Sequence, residues 1–124
     1  MKAIKIKPGA CVDISEVEIT GMNISEQNDC IYKQLGGYFD IVRLGSDACM
    51  LVDDEGILKG LQPNMVAMMI SGYPVIVGPA LIVGARKILT GDEEFRDVPE
   101  RFVKFARDMN KAADCVGLDE PEEK

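Results

Sequence analysis

Chemistry in this chain has to come from carboxylates, thiols, hydroxyls and a few cations, because its 124 residues include no histidine. Histidine is the side chain most often used to move protons near neutral pH and the commonest metal ligand. Its absence removes Ser-His-Asp triads, Cys-His dyads and mixed Cys/His zinc sites. The acidic runs Asp53-Asp54-Glu55 and Asp92-Glu93-Glu94 could hold a hard cation or act as paired carboxylates. Each is contiguous, sits at an expected turn and lacks the interleaved spacing of a calcium loop, so each reads as a solvated hairpin tip. Cys49 or Ser46 as a nucleophile would need a neighbouring base or a lowered pKa, and Lys59 would need burial to form a Schiff base. Gly36-Gly37 and the segment from Gly78 to Gly84 lack the Gly-Lys-Ser/Thr of a phosphate-binding P-loop, and the first follows a helix instead of preceding one. The expectation is therefore no catalytic residue, no metal and no cofactor.

The cations point further. Arg43 falls on an expected strand among apolar neighbours, where an unpaired buried charge is costly; Asp40 or a bound anion could answer it. Arg86-Lys87 stand beside Gly84. With Tyr38 and Tyr73 as stacking faces, the five residues Tyr38, Arg43, Tyr73, Arg86 and Lys87 form a candidate pocket for a small phosphate-bearing ligand. Arg101, Lys104, Arg107 and Lys111 make a cationic strip on the last helix. Glu100, Asp108 and Asp114 interleave with it at three- or four-residue spacing, which favours local ion pairs. Met65, Met68 and Met69 form an adaptable apolar cluster, readable as core or as an interface between copies of the chain.

Lys2–Lys7 alternates as a strand, Pro8-Gly9 turns it, and Val12–Ile19 is β-branched enough to pair back. Asn23 with Glu26 forms a capping box for a helix whose inner face carries Ile24, Ile31 and Leu35 and which Gly36 ends. Tyr38–Leu44, Ala48–Val52 and Ile57–Leu61, joined by short polar loops, read as an antiparallel meander. Met65–Ile70, with Asn64 as a fair cap, is short and apolar all round, which suits burial on every side. Val75–Val77 and Ala80–Val83 read as two buried strands joined through Gly78-Pro79. A final helix is capped by Asp97, with Pro99 and Glu100 in its first turn and Val98, Phe102, Phe105, Ala106, Met109, Ala113 and Val116 in one stripe; Gly117 stops it. The fold class is α+β: an antiparallel β-sheet with one inserted helix and a C-terminal amphipathic helix packed on it.

The length suits one domain, residues 1–117, followed by an acidic, disordered tail at 118–124. A hydrophobic share of 47% and a charged share of 28% are those of an ordinary globular chain. With 14 basic against 21 acidic residues the net charge is −7, which argues against direct binding of duplex nucleic acid. Cys11, Cys30, Cys49 and Cys115 contain no C-x-x-C pair, nothing ahead of Cys11 reads as a secretory signal, and the apolar runs are too short to cross a bilayer. These features predict four free thiols, a cytoplasmic location and no membrane contact.

Five ordered segments carry a resemblance: Lys2-Ala3-Ile4-Lys5-Ile6-Lys7-Pro8-Gly9; Leu35-Gly36-Gly37-Tyr38; Asp53-Asp54-Glu55-Gly56 with Lys59-Gly60-Leu61; Pro63-Asn64 with Ala67; and Gly78-Pro79-Ala80-Leu81-Ile82-Val83-Gly84. Over roughly its first hundred residues the chain resembles a family of small bacterial, phage and plasmid proteins known only as a domain of unknown function. The resemblance implies a mobile-element setting, in which small acidic proteins often antagonise host defences, and it brings no catalytic residues. Together these features predict a non-enzymatic phage or mobile-element counter-defence protein, acting in the host cytoplasm as a homo-oligomer that sequesters a nucleotide-type immune signal. Arg43, Arg86 and Lys87 would meet phosphates while Tyr38 or Tyr73 stacks a base. The alternatives are an acidic inhibitor that blocks a nucleic-acid-handling host defence protein, and an enzyme working through Asp53, Asp54 or Glu55.

Overall fold

The strand pairing is antiparallel throughout the sheet, and a connection as short as residues 44–47 allows no other. The structure is a computed structural model that describes residues 1–9, 12–87 and 93–115, without the side chains of 87, 93 and 113–115. Its elements are β1 (Lys2–Ile6), β2 (Ile14–Glu18), α1 (Ile24–Leu35), β3 (Phe39–Arg43), β4 (Ala48–Asp53), α2 (Met65–Ser71), β5 (Ala80–Lys87), β6 (Glu93–Arg96) and α3 (Glu100–Cys115). The sheet has the order β2-β1-β5-β4-β3, with β6 also on β5. β1 takes one edge of β5 through Ile4↔Ile82 and Ile6↔Ala80, and β6 continues along that edge from Gly84↔Arg96 to Lys87↔Glu93. β4 holds the other edge, from Ala48↔Gly84 to Val52↔Ala80. The fold is α+β, a six-stranded antiparallel sheet with three helices among the described residues, the last of them C-terminal.

Period-two alternation splits the apolar residues between two faces. Ile4, Ile6, Met50, Ala80 and Ile82 pack with Val66 and Ala67 of α2 and with Val103 and Ala106 of α3. On the other face Ala3, Cys49, Leu51, Leu81 and Val83 pack with Ile31 and Leu35 of α1. β4 and β5, covered on both sides, are therefore apolar at consecutive positions.

Several expectations are corrected. Ile57–Leu61 is a turn, not a strand: Lys59 N donates to Glu55 O and Leu61 N to Gly56 O, so the local bonds that a ladder would need are already spent. Val75–Val77 contributes only a bridge at Val77 to Pro63. Of Asp92-Glu93-Glu94, expected at a hairpin tip, Glu93 and Glu94 lie on β6 and Asp92 falls outside the described residues. Met65–Ser71 is a helix, and it is not buried all round: Val66 and Ala67 face the core while Met65 and Met69 are exposed. Ile24 is exposed although it shares a helical stripe with Ile31 and Leu35. Asp97 does not cap α3; its Oδ1 accepts from Lys2 N at 2.8 Å, and Val98 N donates to Lys2 O at 2.9 Å, clamping the entry to α3 onto β1. The tail at 118–124, Val116, Gly117 and Cys11 lie outside the described residues.

Candidate functional site

α1 lies on the sheet only with its C-terminal half. Ile31 and Leu35 are its buried residues, and Gly36 ends it at φ 83°, donating its N–H to Tyr32 O. At the other end Asn23 Oδ1 accepts from Glu26 N at 2.9 Å, while the Glu26 carboxylate reaches back one residue further than the usual box and accepts from Met22 N at 2.7 Å. The first turn is thereby held as helix without being packed down, and a groove opens between it and the sheet.

That groove, of about 410 Å³, is lined by Met22, Asn23, Ile24, Gln27, Asn28, Phe39, Ile41, Glu94 and Phe95. The Phe39 and Phe95 rings lie 6.1 Å apart at 56°. A second cavity of about 400 Å³ is lined by Met1, Gln27, Arg86, Glu94, Phe95, Arg96 and Asp97. Gln27, Glu94 and Phe95 line both, so the two cavities adjoin. The first is lined by apolar and aromatic side chains with side-chain amides, and the second adds the guanidinium groups of Arg86 and Arg96 and the carboxylate of Asp97. Arg86 Nε donates to Glu94 Oε1 at 2.8 Å, across the register pair Arg86↔Glu94.

Of the residues singled out from sequence, Arg86 lines this site, and Lys87 follows it on β5 with its side chain outside the described residues. Arg43, exposed, follows Ile41 on the same strand face of β3. Tyr38 and Tyr73 are not brought to it: Tyr38 packs edge-on against Tyr32 at 5.1 Å, and Tyr73 follows α2 on the opposite face of the sheet. Phe39, Phe95, Arg96, Gln27 and Asn28 were missed. In sequence Phe39 and Phe95 are indistinguishable from core aromatics.

The other candidates have structural work. Asp53, expected to be solvated, has a buried side chain: Oδ1 accepts from Glu55 N at 2.8 Å and Oδ2 from Lys59 Nζ at 2.8 Å, and Lys59 also donates to Gly36 O at 3.0 Å. The hydrogen bond to Asp53 raises the Lys59 pKa above the ordinary lysine value. A side chain on Gly37 would collide with this pair, its Cβ 2.6 Å from Lys59 Nζ. Asn64, wholly buried, donates to Ile6 O at 3.0 Å and Gly78 O at 2.9 Å and accepts from Ala67 N at 3.1 Å. Three of the five segments that carry the family resemblance are thus tied together through Asn64, and the other two through Lys59.

The cationic strip of α3 is largely answered in place. Arg101 grips Asp47 with two bonds of 2.7 Å, and Arg107 donates to Glu16 at 3.0 and 3.2 Å; both carboxyls are held below their ordinary pKa by these bonds. Lys104 lies 3.9 Å from Asp108. Beside Arg101, whose guanidinium stacks 4.6 Å above Phe102, an apolar groove of about 460 Å³ runs between α2 and α3 along Met69, Ile70, Phe102 and Phe105. Met65 and Met69 are exposed on α2 and Met68 is half-buried against the core. A smaller cleft of about 190 Å³ includes Asp40, Asp54, Glu55, Ile57 and Leu58 in its walls. Among the described residues no group of three or more acidic or cysteine side chains is arranged to hold a metal, and no helix is long and apolar enough to cross a membrane.

Residues 1–111 match the family described as a domain of unknown function, DUF3846. No curated protein and no solved structure matches the chain.

Proposed function

The chain belongs to the DUF3846 family, and we propose that its work is capture without conversion: it binds and sequesters a nucleotide-type signal, as a phage or mobile-element protein directed against a host defence would. The observation that carries the reading is the pair of adjoining cavities. Ligand sites are concave and mostly apolar with a few convergent polar groups, and the lining of these two supplies the kinds of group a nucleotide needs. Phe39 and Phe95, with Ile24 and Ile41, offer apolar and ring surface for a base; Gln27 and Asn28 offer amides that can both donate to and accept from a base edge. Arg86 and Arg96 line the adjoining cavity, and guanidinium forks suit phosphate. The ring faces move from Tyr38 and Tyr73 to Phe39 and Phe95, while Arg86 keeps its role.

Calorimetric titration with the four ribonucleoside 5′-monophosphates tests it. Binding of at least one, weakened about tenfold or more by Arg96→Ala or Phe95→Ala and followed by recovery of the ligand unchanged, is the expected result. Binding of none, or release of a converted product over repeated turnovers, overturns it.

A second reading, an acidic inhibitor of a basic nucleic-acid-handling host protein, draws on one feature. Lys59, Arg86, Arg101 and Arg107 are each occupied by the chain's own carboxylates, while Asp54 and Glu55 stand exposed beside Ile57 and Leu58. Salt-sensitive association with such a protein is its signature. In either reading the exposed Met65 and Met69 beside the α2–α3 groove are the surface we assign to self-association.

A further inference from the structure

We propose that the outer edge of β3 is a second contact between copies of the chain, in which Phe39–Arg43 pairs antiparallel with itself about Ile41 and the two sheets run on as one. β3 ends the sheet: its register with β4 runs from Phe39↔Asp53 to Arg43↔Cys49, and among the described residues no strand lies on its other side. In an antiparallel ladder alternate residues turn their N–H and C=O toward a given neighbour and away from it. Asp54 N donates to Tyr38 O and Leu44 N to Ala48 O, so Tyr38, Asp40, Val42 and Leu44 are the positions turned to β4. Phe39 and Ile41 therefore hold their N–H and C=O outward, and the Ile41 side chain is exposed. Such a row is a template for another strand unless charge or shortness blunts it. The other outer strands are blunted: β2 carries Glu16 and Glu18, and β6 is four residues long, three of them charged. β3 is apolar at Phe39, Ile41 and Val42.

The occupant that fits this edge is the same edge. Asp40 and Arg43 stand toward opposite ends of the strand, so an antiparallel copy brings acidic end to basic end, whereas a parallel copy in register sets like charge on like. A two-fold axis normal to the sheet keeps each face on its own side, so only positions that share a face can meet. Of the registers this allows, the one centred on Ile41 overlaps all five residues. It sets Ile41 on Ile41, Asp40 beside Val42, and at each end the guanidinium of one copy against the Phe39 ring of the other. Phe39 and Ile41 also line the groove beside α1, so the seam lays the grooves of the two copies side by side. The pairing does not rest on the nucleotide reading.

Sedimentation velocity and native mass spectrometry test it on the double variant Met65→Lys, Met69→Lys, in which the contact assigned to α2 is removed. That protein should have twice the chain mass, and adding Ile41→Pro should halve it. Proline takes away the outward N–H and no bond to β4, and edge strands tolerate it for that reason. Adding Ile41→Lys instead should do the same, since lysine is what natural edges use against strand addition; it decides the matter where the proline variant loses its circular dichroism spectrum. Amide hydrogen exchange gives a second readout: the Phe39 N–H should exchange slowly in the dimer, as in a paired strand, and quickly once Ile41→Lys is added. A monomer before Ile41 is touched, a dimer that survives Ile41→Lys, or a Phe39 N–H that exchanges equally fast with and without that change overturns the contact. Each of these outcomes leaves nucleotide capture standing, because calorimetry reads it separately.

Discussion

Asn64 shows how much one side chain can hold. Wholly buried, it ends a segment that must satisfy the carbonyls of Ile6 and Gly78 and the N–H of Ala67, and its amide answers all three. Asn64→Ala strands those groups and removes the cap of α2, at a cost of about 3 kcal/mol in urea unfolding. Asn64→Asp keeps the acceptor for Ala67 but turns an oxygen toward two carbonyls. It should cost more than the alanine at neutral pH and recover part of the loss in acid, where a protonated carboxyl can donate once again. A variant with Asp no worse than Ala at neutral pH would show that the two carbonyls have other partners. The capping part of this role was legible in sequence because it spans three residues. The bond to Ile6 was not, since no local pattern reports a partner 58 positions away. Asp97 illustrates the reverse: it has the right type and position for a cap, yet the N–H of Lys2, 95 residues distant, takes its carboxylate.

Elements place the groove, and two contacts decide where they lie. Gly84 sits where β4, β5 and β6 meet, and a Cβ there would stand 2.2 Å from Asp97 O and 3.3 Å from Arg96 O. These are backbone atoms and cannot swing away. Gly84→Ala should therefore cost about 2 kcal/mol and shift β6, carrying Glu94, Phe95 and Arg96 out of place, so nucleotide affinity should fall further than stability does. Unchanged affinity in a folded Gly84→Ala protein would mean the groove does not depend on β6. α3 is tied down by Arg101 on Asp47 in the β3–β4 turn and by Arg107 on Glu16 of β2. Both carboxyls titrate lower folded than unfolded, so the stability they add is present above the ordinary carboxylate range and is lost as pH falls through their depressed values. Denaturant midpoints for Asp47→Asn with Glu16→Gln should thus depend less on pH in acid than those of the wild type; identical acid profiles would remove these ties from the account. Strand and helix positions were largely readable because burial imposes period two or 3.6 on the apolar residues. The groove was not, because it arises where that rule lapses: Ile24 belongs to the inner stripe of α1, yet the first turn stands off the sheet and leaves it exposed.

For the whole molecule the sign of the salt effect separates the two functions. A chain with net charge −7 and a radius of gyration of about 14 Å repels an anionic nucleotide at long range, whatever its groove does locally. At about 0.01 M salt the screening length is roughly 30 Å, so an approaching phosphate meets the field of the entire protein. Near 0.15 M it is roughly 8 Å, and the phosphate is governed by the arginines within that reach, Arg86 and Arg96. Stopped-flow association with a nucleoside monophosphate should therefore quicken, or at least hold constant, as salt rises over this range, opposite to the behaviour of a basic phosphate-binding protein. Association with a basic host protein would run the other way, fastest at low salt and falling steeply as the attraction is screened. A nucleotide on-rate that falls with salt would place the binding cations outside this acidic surround, and with them the site; one that rises ties capture to the small cationic end of a negative molecule.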